Sequence, residues 1–453
     1  MLRSTLKQLS FAALGLAAGA LFQAQTMAQE VPASLKLSGF ATLGLVHNDN
    51  AQAGAVFSGA QKRPVFGGTS ADLDTVVGLQ ADYALLPSTS LALQVISRAG
   101  EEWQPKLRMA MLRQQLSDTL ALRVGRMRSP VFMDSDTAEF NYASPLVRAP
   151  MPIYVGLANA APFHDGADLQ WHASLGGVTL LTSAYVGQGE HDYYRYEKAG
   201  RTQANIELSG IRGLSVSATA GASTIRLAHT LTQNIQSKSD QLVQLNQGIT
   251  GLAQQLNTVA KGLAAAGQVG PSQQLSQQAA AMADYADSSL GSPTHTSIGF
   301  TTDIDDWHIF GEWAKLVTNN KTGVLTDRSG YALTVAYNLG RFTPFVSVSQ
   351  VKSDSDPKPT AAFAATGRPG LEALDAGLTR IRAAMDQRIA TAVGGMDSAG
   401  IGLRMDLMQK MALKVQYDRL KAPSTTSPGV MIVPLTPYNN EINLFSVSLD
   451  VVF

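Results

Sequence analysis

The end of the chain constrains its fold most strongly, because residues 441–453 alternate between two faces and stop at an aromatic residue, Phe453. Alternation of this kind over about ten residues is typical of a strand in a transmembrane β-barrel. Since unpaired backbone groups are costly in lipid, we expect this last strand to close onto the first strand near Leu37. One face carries Asn443, Phe445, Val447, Leu449, Val451 and Phe453, and the other carries Ser446, Ser448 and Asp450.

The same alternation recurs along the chain. Leu413 and Val415, for example, oppose Lys414 and Gln416. We count about sixteen such segments, which predict an all-β fold, a transmembrane antiparallel barrel over 29–453. The segments lie near 35–47, 72–85, 90–99, 104–115, 120–127, 165–175, 178–187, 202–209, 214–225, 295–304, 307–317, 329–339, 342–352, 398–407, 411–420 and 441–453.

The connections between these segments alternate in length, which supports the barrel independently. An even number of strands with both termini on the short-turn side is typical of a bacterial outer-membrane barrel, whereas a soluble β-sandwich would not sort its loops in this way. Tyr83, Trp307, Tyr337, Phe342 and Phe453 sit at the predicted short-turn ends, where aromatic rings favour the headgroup zone. Short turns are predicted at 87–88, 117–118, 176–177, 210–213, 305–306, 340–341 and 409–410.

Residues 1–28 have the pattern of a secretory signal peptide. Arg3 and Lys7 precede an apolar stretch over 9–21, and a small-residue cleavage pattern ends at Ala28. The apolar stretch is too short to span a bilayer comfortably, so we expect it to be removed from the mature chain. No later apolar run approaches the roughly 20 residues that a transmembrane helix needs.

Composition excludes several kinds of function. The chain has no cysteine, which rules out disulfides and thiolate metal sites. Its formal net charge is zero and its charged residues are dispersed, so the basic patch of a nucleic-acid-binding protein is missing. We find no nucleophile elbow, phosphate loop or metal-ligand spacing, and we expect neither an enzyme nor a cofactor. A barrel hydrolase that uses His172 or His308 stays an alternative, because its triad would come from different strands.

Three stretches resemble Gram-negative outer-membrane porins. The terminal 443–453 resembles the outer-membrane signature whose final aromatic, Phe453, is read by the barrel-assembly machinery, and 37–44 resembles the first porin strand. Residues 125–130 and 142–150 resemble the strand end and third loop of proteobacterial porin-like proteins. The resemblance implies a homotrimer of water-filled, 16-stranded barrels in outer-membrane lipid, which passes ions and small hydrophilic solutes by diffusion.

The third long connection, about 127–163, is the candidate constriction loop. Barrels of about 16 to 18 strands enclose an aqueous channel, and charged side chains at the narrowest point set its selectivity. By the resemblance this loop folds into the lumen and holds its carboxylates, Asp134, Asp136 and Glu139, across from a basic wall.

The third to fifth segments supply such a wall. Arg98, Lys106 and Arg108 are expected on the lumen face, with Met109 and Met111 on the opposite face. On the fifth segment the parity is mixed, so its three arginines can all face the lumen only if the strand bends near Gly125. The alternative is that these charges are solvated residues of the rim. By the resemblance, Arg126 lies in the constriction. The basic set as a whole is Arg98, Lys106, Arg108, Arg123, Arg126 and Arg128. Four further residues are expected to face the lumen: Glu312, Arg404, Lys414 and Asp418.

Two long outer connections, about 227–294 and 368–394, have helical periodicity. In the first, Leu242, Leu245, Ile249 and Leu252 begin a strict a/d pattern, which a break near Gly267 divides into two arms. We expect these helices to pack in one of two ways, either on each other above the pore or against the same loops of adjacent protomers. We therefore predict a channel for passive diffusion, with an adhesin-like surface interaction protein as the second candidate.

Overall fold

The computed structural model describes residues 35–157, 163–197, 200–286, 289–320, 325–353, 361–392, 394–423, 432–435 and 437–453. The predicted signal peptide lies outside these residues. Sixteen strands form one wall: β1 Leu35–Asn48, β2 Val76–Leu86, β3 Thr89–Arg98, β4 Lys106–Gln115, β5 Leu120–Arg128, β6 Phe163–Leu175, β7 Val178–Glu197, β8 Gly200–Ala220, β9 Ser223–Leu231, β10 Thr294–Ile304, β11 Trp307–Val317, β12 Arg328–Tyr337, β13 Phe342–Ser353, β14 Met396–Met408, β15 Met411–Lys421 and β16 Glu441–Val452.

Shorter elements lie in the connections between the wall strands. Gly68–Ser70 pairs with β1, Asn234–Lys238 pairs with β8, and Ala53–Ala55 pairs with Ile432–Pro434. The helices are α1 Met151–Tyr154, α2 Asp240–Ala265, α3 Val269–Ala283 and α4 Glu372–Ala392, with single 3-10 turns at Ala99–Glu101, Asn141–Ala143 and Ala361–Phe363.

The wall closes on itself. Each strand pairs antiparallel with its neighbours in sequence, and β1 pairs both with β2 and with β16. At the seam, the backbone N–H groups of Gly39 and Phe453 each donate to the carbonyl of the other residue at 3.0 Å. The predicted closed barrel of sixteen strands is confirmed, and its last strand meets the first close to the expected position.

The exterior of the barrel is apolar. Leu43, Val186, Leu227 and Val346 are exposed on the outward face, the reverse of their distribution in a soluble protein. Such a band suits the hydrocarbon of a bilayer. Where strands meet short turns, Trp307 and Tyr337 touch on adjacent strands, with ring centroids 4.7 Å apart. None of the described helices is both long and apolar enough to cross a membrane.

The predicted turn at 210–213 is wrong, because this stretch is a bulge inside β8. β7 and β8 form one long hairpin whose register shifts between Leu208 and Ile211, and Gly210 there has φ +62°. The turn from β8 to β9 instead contains Gly221, with φ +56°. Glycine serves a bulge and a turn equally well, since both need positive φ. Strand pairing on both sides decides between them, and a single sequence does not reveal that pairing.

Helices α2, α3 and α4 pack together, and we call them the helical crown. The first two belong to the connection between β9 and β10, and α4 belongs to the one between β13 and β14. Ser239 caps α2 by accepting from the Leu242 N–H at 3.2 Å. Of the two arrangements expected for these helices, the structure shows mutual packing. The shared core includes Ile249, Leu256, Leu275, Met282, Phe363, Leu378 and Met385.

Candidate channel constriction

Residues 129–157, which we call the crossing loop, run from the end of β5 across the interior of the barrel. Ser129 at its start lies 3.0 Å from His164 of β6, from Oγ to Nδ1, so the two strands that carry the loop are joined at its base. Farther along, α1 packs against β12, β13 and β14. Apolar loop residues, including Phe132 and Ile153, share a buried core with inward residues of the opposite wall such as Leu316 and Val351. The loop therefore fills much of the lumen.

The basic wall meets this loop through shared carboxylates. Arg98 and Arg128 both contact Glu139, the latter at 3.0 Å. Farther out, Lys106 and Arg108 share Glu101, at 2.8 and 3.2 Å. At each point two cations flank one carboxylate, so this wall keeps a local excess of positive charge. Glu139 lies against the wall and not across the channel from it.

Arg108 reaches the lumen by way of a bulge. The register between β3 and β4 shifts between the Gln94–Met109 and Val95–Leu107 pairs, which leaves Arg108 without a direct partner. Lys106 and Arg108 therefore lie on the lumen face, as expected from their parity, and Leu107 between them points outward. The expected outward position of Met109 and Met111 is wrong, because the bulge returns them to the lumen face, opposite outward Leu112.

Arg126 lies on the outer face of the barrel, so its expected place in the constriction is wrong. It lies two residues after Val124, which points outward, so it points outward as well, and it pairs with Asp165 of β6 at 2.7 Å. Parity is kept through Gly125, whose φ of +129° and close approach to the Ala110 carbonyl admit no side chain. Arg128, the last residue of β5, shares the parity of Arg126, but its side chain reaches the crossing loop, where it contacts the Ser135 carbonyl at 3.2 Å and Glu139 at 3.0 Å. Of these two expected wall residues, the fold brings Arg128 to the crossing loop and leaves Arg126 outside.

Arg123 faces the lumen and is held by a buried carboxylate. Its Nε and Nη2 donate to the two oxygens of Asp168 at 3.1 and 2.7 Å. The paired geometry fixes the guanidinium plane. Arg123 lies toward the short-turn end of β5, and is therefore on the short-turn side of the crossing loop.

Arg226 of β9 clamps the first part of the crossing loop and was missed in the sequence. Its Nη1 donates to the Phe132 and Met133 carbonyls at 2.9 and 3.0 Å, and its Nη2 reaches Asp136 at 3.2 Å. In the sequence, Arg226 alternates with the apolar residues Ile225 and Leu227, which indicates an inward side chain. The turn wrongly predicted at 210–213 hid this alternation. Asp134, next to this clamp, is partly buried, and burial raises its pKa to about 6 although Arg226 opposes that shift.

Glu312 and Arg404 point inward as expected, but they hold the loop instead of lining open water. Glu312 accepts from the Met133 N–H and the Tyr154 hydroxyl, both at 2.7 Å. Burial raises the pKa of Tyr154 well above its ordinary value, so its hydroxyl stays a donor. Arg404 donates to the carbonyl of Tyr142 at 2.6 Å.

Lys414 and Asp418 of β15 anchor the far side of the loop. Lys414 is fully buried, donates to the Leu146 carbonyl at 2.9 Å and pairs with Asp450 at the same distance. Asp418 accepts from Arg148 at 2.8 Å. Both residues were expected to line open water, but the structure buries both of them beneath the loop.

The histidines considered for a hydrolase do not gather a triad within the described residues. His308 lies 2.6 Å from Asp303, and the serine–histidine contact in the lumen is that of Ser129 with His164. Both of these last two residues are buried at the root of the crossing loop. Their contact therefore serves to hold the loop and leaves the hydroxyl out of reach of a lipid.

A small polar pocket lies between the crossing loop and the wall from β5 to β9. Guanidinium groups and hydroxyls dominate its surface, with one exposed carboxylate from the loop. Residues that define it include Arg123, Arg128, Arg226, Asp136, Ser215 and Ser217.

No protein-family model matches the sequence, and no curated protein sequence matches it. Solved structures do match. The anion-selective porin of Comamonas acidovorans aligns over 93% of this chain and 99% of its own, with TM-score 0.50 and 9% identity. The chain has the porin fold. The outer membrane channel DcaP of Acinetobacter baumannii aligns over 92% and 97%, with TM-score 0.49 and 11% identity. The trimer form of OmpT of Vibrio cholerae aligns over 92% and 99%, with TM-score 0.48 and 12% identity.

These neighbours are bacterial outer-membrane proteins, and what this chain shares with the Comamonas porin is its fold. The closed wall leaves no sheet edge open to lipid, and the apolar exterior suits the hydrocarbon of a bilayer.

Proposed function

We propose that the chain is a channel for passive diffusion of ions and small hydrophilic solutes, and that it prefers anions. The observation that carries this proposal is a closed barrel with the porin fold, in which the crossing loop and the β5–β9 wall enclose a pocket lined by guanidinium groups and hydroxyls. A channel needs a wetted route through the lumen, and charged side chains at the narrowest point set which solutes pass.

The excess of cations along the wall supports an anion preference. Arg98 and Arg128 share Glu139, and Lys106 and Arg108 share Glu101. Each group carries one net positive charge. In a narrow polar route with low-dielectric walls, such charges raise the local concentration of anions.

The many anchors of the crossing loop support a fixed aperture. The loop is bonded to β9 through Arg226, to β11 through Glu312 and to β15 through Lys414 and Asp418. A loop held at several separate strands has little freedom to swing out of the lumen. The route should therefore keep one width, as a simple diffusion channel requires.

Reversal potentials of refolded protein in planar bilayers under a KCl gradient test the anion preference. We expect the wild-type value to favour chloride and the Arg98→Gln/Arg128→Gln variant to lose most of that preference. Arg126→Gln/Arg419→Gln is the matched control, since it removes two positive charges from the outer face. Equal shifts in both variants, or cation preference in the wild type, would contradict the proposal.

We also propose that the chain assembles as a homotrimer and that Phe453 is read by the barrel-assembly machinery. The trimer rests on the resemblance of all three stretches to porins, and the assembly signal rests on the resemblance at 443–453. The ring of Phe453, at the β1–β16 seam, packs on Gly39 and is partly exposed. Mass measurement of the detergent-solubilised protein checks the trimer, and loss of membrane insertion in a Phe453→Ala strain checks the second point.

A surface-interaction role for the crown is less well supported. The apolar stripes of α2, α3 and α4 cover one another, so the crown needs no partner to bury them. The outward face of α2 is mainly polar, with Asn246, Gln247 and Gln254 along one groove.

A further inference from the structure

Three cations from two separate outer connections converge on one carboxylate, and we call this group the outer basic cluster. Lys62 and Arg63 lie between β1 and β2, and Arg201 lies near the tip of the β7–β8 hairpin. Glu102, between β3 and β4, accepts from the Lys62 ammonium at 2.9 Å. Its Oε1 lies 3.7 Å from Arg63 Nη2 and 3.6 Å from Arg201 Nη1. The cluster therefore keeps two net positive charges around a single oxygen atom.

Backbone contacts hold the connections of the outer basic cluster together. The Lys62 N–H donates to the Gly100 carbonyl at 2.7 Å. The Tyr194 N–H, on the β7–β8 hairpin, donates to the Gly59 carbonyl at the same distance. Arg201 Nη1 donates to the Lys62 carbonyl at 2.7 Å, and its guanidinium lies over the Tyr194 ring, 5.3 Å from Cζ to the centroid. The plane of this guanidinium is thus fixed before a ligand arrives, which lowers the cost of binding.

The cluster is open to solvent and has unused donors. The side chains of Arg63 and Arg201 are 68% and 41% exposed. Among the described residues, the Nε and Nη2 groups of Arg201 have no hydrogen-bond partner, and neither does the guanidinium of Arg63. The Nε–Nη2 edge of an arginine binds the oxygens of a carboxylate or a phosphate through two parallel hydrogen bonds. An anion from solution can therefore reach both arginines together.

The outer basic cluster continues the basic wall outward. Glu101, the residue before Glu102, pairs with Lys106 and Arg108 at 2.8 and 3.2 Å. Val65, from the same connection as Lys62, belongs to the buried core that contains the crossing loop. Because Lys106 and Arg108 face the lumen, the cluster lies at the mouth of the barrel and not on its lipid-facing side.

We propose that Lys62, Arg63 and Arg201 form a binding site for small phosphate monoesters at the mouth of the barrel. A phosphate monoester carries close to two negative charges above neutral pH, which matches the net charge of the cluster. The fixed edge of Arg201 takes two of its oxygens, and Arg63 and Lys62 reach the third. The site rests on the proposed channel for a role in uptake, but its binding does not depend on conduction.

Calorimetry of the refolded, detergent-solubilised protein with glucose 6-phosphate at about pH 8 tests the site. Glucose supplies the sugar without the phosphate, and sodium acetate supplies a single charge. We expect glucose 6-phosphate to bind more tightly than either, and Arg63→Gln/Arg201→Gln to weaken it about tenfold, as the loss of hydrogen bonds to a charged group implies. Arg380→Gln/Arg382→Gln is the matched control, because it removes the same two charges from exposed positions on α4 of the crown.

Arg201→Lys separates a built site from a diffuse attraction between charges. Lysine keeps the positive charge but lacks the planar pair of donors. We expect this variant to bind glucose 6-phosphate about fivefold more weakly than the wild type. An unchanged affinity would show that charge alone attracts the ligand, and it would overturn the site.

Other results would also overturn the assignment. Equal affinity for acetate and glucose 6-phosphate would remove the phosphate class, and equal losses in the cluster and crown variants would remove the cluster. Phosphatidic acid in mixed micelles presents the phosphate on a lipid, and its binding without that of glucose 6-phosphate would reassign the cluster to a headgroup. Binding of glucose 6-phosphate without bilayer conductance would overturn the channel and leave the site standing, whereas conductance without binding would overturn the site alone.

Discussion

Arg148 at the far side of the crossing loop donates to Asp418 of β15 at 2.8 Å, in a buried site that joins residues 270 positions apart. The same guanidinium donates to both oxygens of Asp74 at 2.9 and 2.6 Å and to Ser446 at 2.6 Å. Burial works against the charged form, but the two carboxylates outweigh it and raise the pKa of Arg148. This triad ties the loop to the β15–β16 wall and to the β1–β2 connection.

Replacement of Arg148 by methionine should destabilise the barrel strongly. It leaves Asp74 and Asp418 buried without their cation, and breaking a buried pair in this way costs about 3–5 kcal/mol. Urea unfolding of the refolded protein measures the change. Arg419→Gln is the control, because the Arg419–Glu441 pair is exposed and such pairs contribute about 0–1 kcal/mol. Equal losses in the two variants would contradict the anchoring role of the triad.

Tyr154→Phe should loosen the loop without changing its charge. The substitution removes the hydroxyl that donates to Glu312 at 2.7 Å and accepts from the Asp134 N–H at 3.2 Å. Leaving Glu312 with a lost partner costs about 1–3 kcal/mol. Single-channel recording should show a noisier open state with more frequent substates. Tyr417→Phe, on the outer face, is the control, and identical traces for the two variants would contradict the prediction.

The strand pattern was predictable because lipid and lumen impose opposite chemistry on successive residues. Alternation therefore located most strands and the seam at Phe453. It could not show that Gly210 lies in a bulge, because a turn was expected there. That error misassigned the faces of β9, so the inward position of Arg226 was not recognised. Near Gly125 the sequence allowed a bend without showing which arginine turned inward. Nor could it show that Lys414 and Asp418 were covered by the loop, since burial in a lumen depends on contacts between residues far apart in the chain.

The crown should fold as a unit that the barrel does not need. Deletion of 240–283 removes α2 and α3 and exposes Leu378 and Met385 of α4, which are buried in the crown core. An isolated helix is marginal in water, so α4 should unfold as well, with loss of helical circular dichroism beyond the deleted residues. Conductance should stay unchanged, because the proposed narrowest point lies at the crossing loop. A clearly raised conductance would instead identify the crown as a restricting roof.

Asp134 should make the stability of the protein depend on pH. Burial raises its pKa from 3.8 to about 6, so the folded state binds the proton more tightly than the unfolded chain does. The resulting stabilisation is fully present below about pH 3.8 and is lost as the pH rises through about 6. Unfolding free energies of the wild type and Asp134→Asn, compared across that interval, isolate this contribution, since asparagine cannot ionise. We expect the difference in unfolding free energy between the wild type and Asp134→Asn to change with pH and to level off above pH 6. Asp136→Asn, at an exposed position, serves as the control. A constant difference across the interval would show that Asp134 does not titrate against the fold.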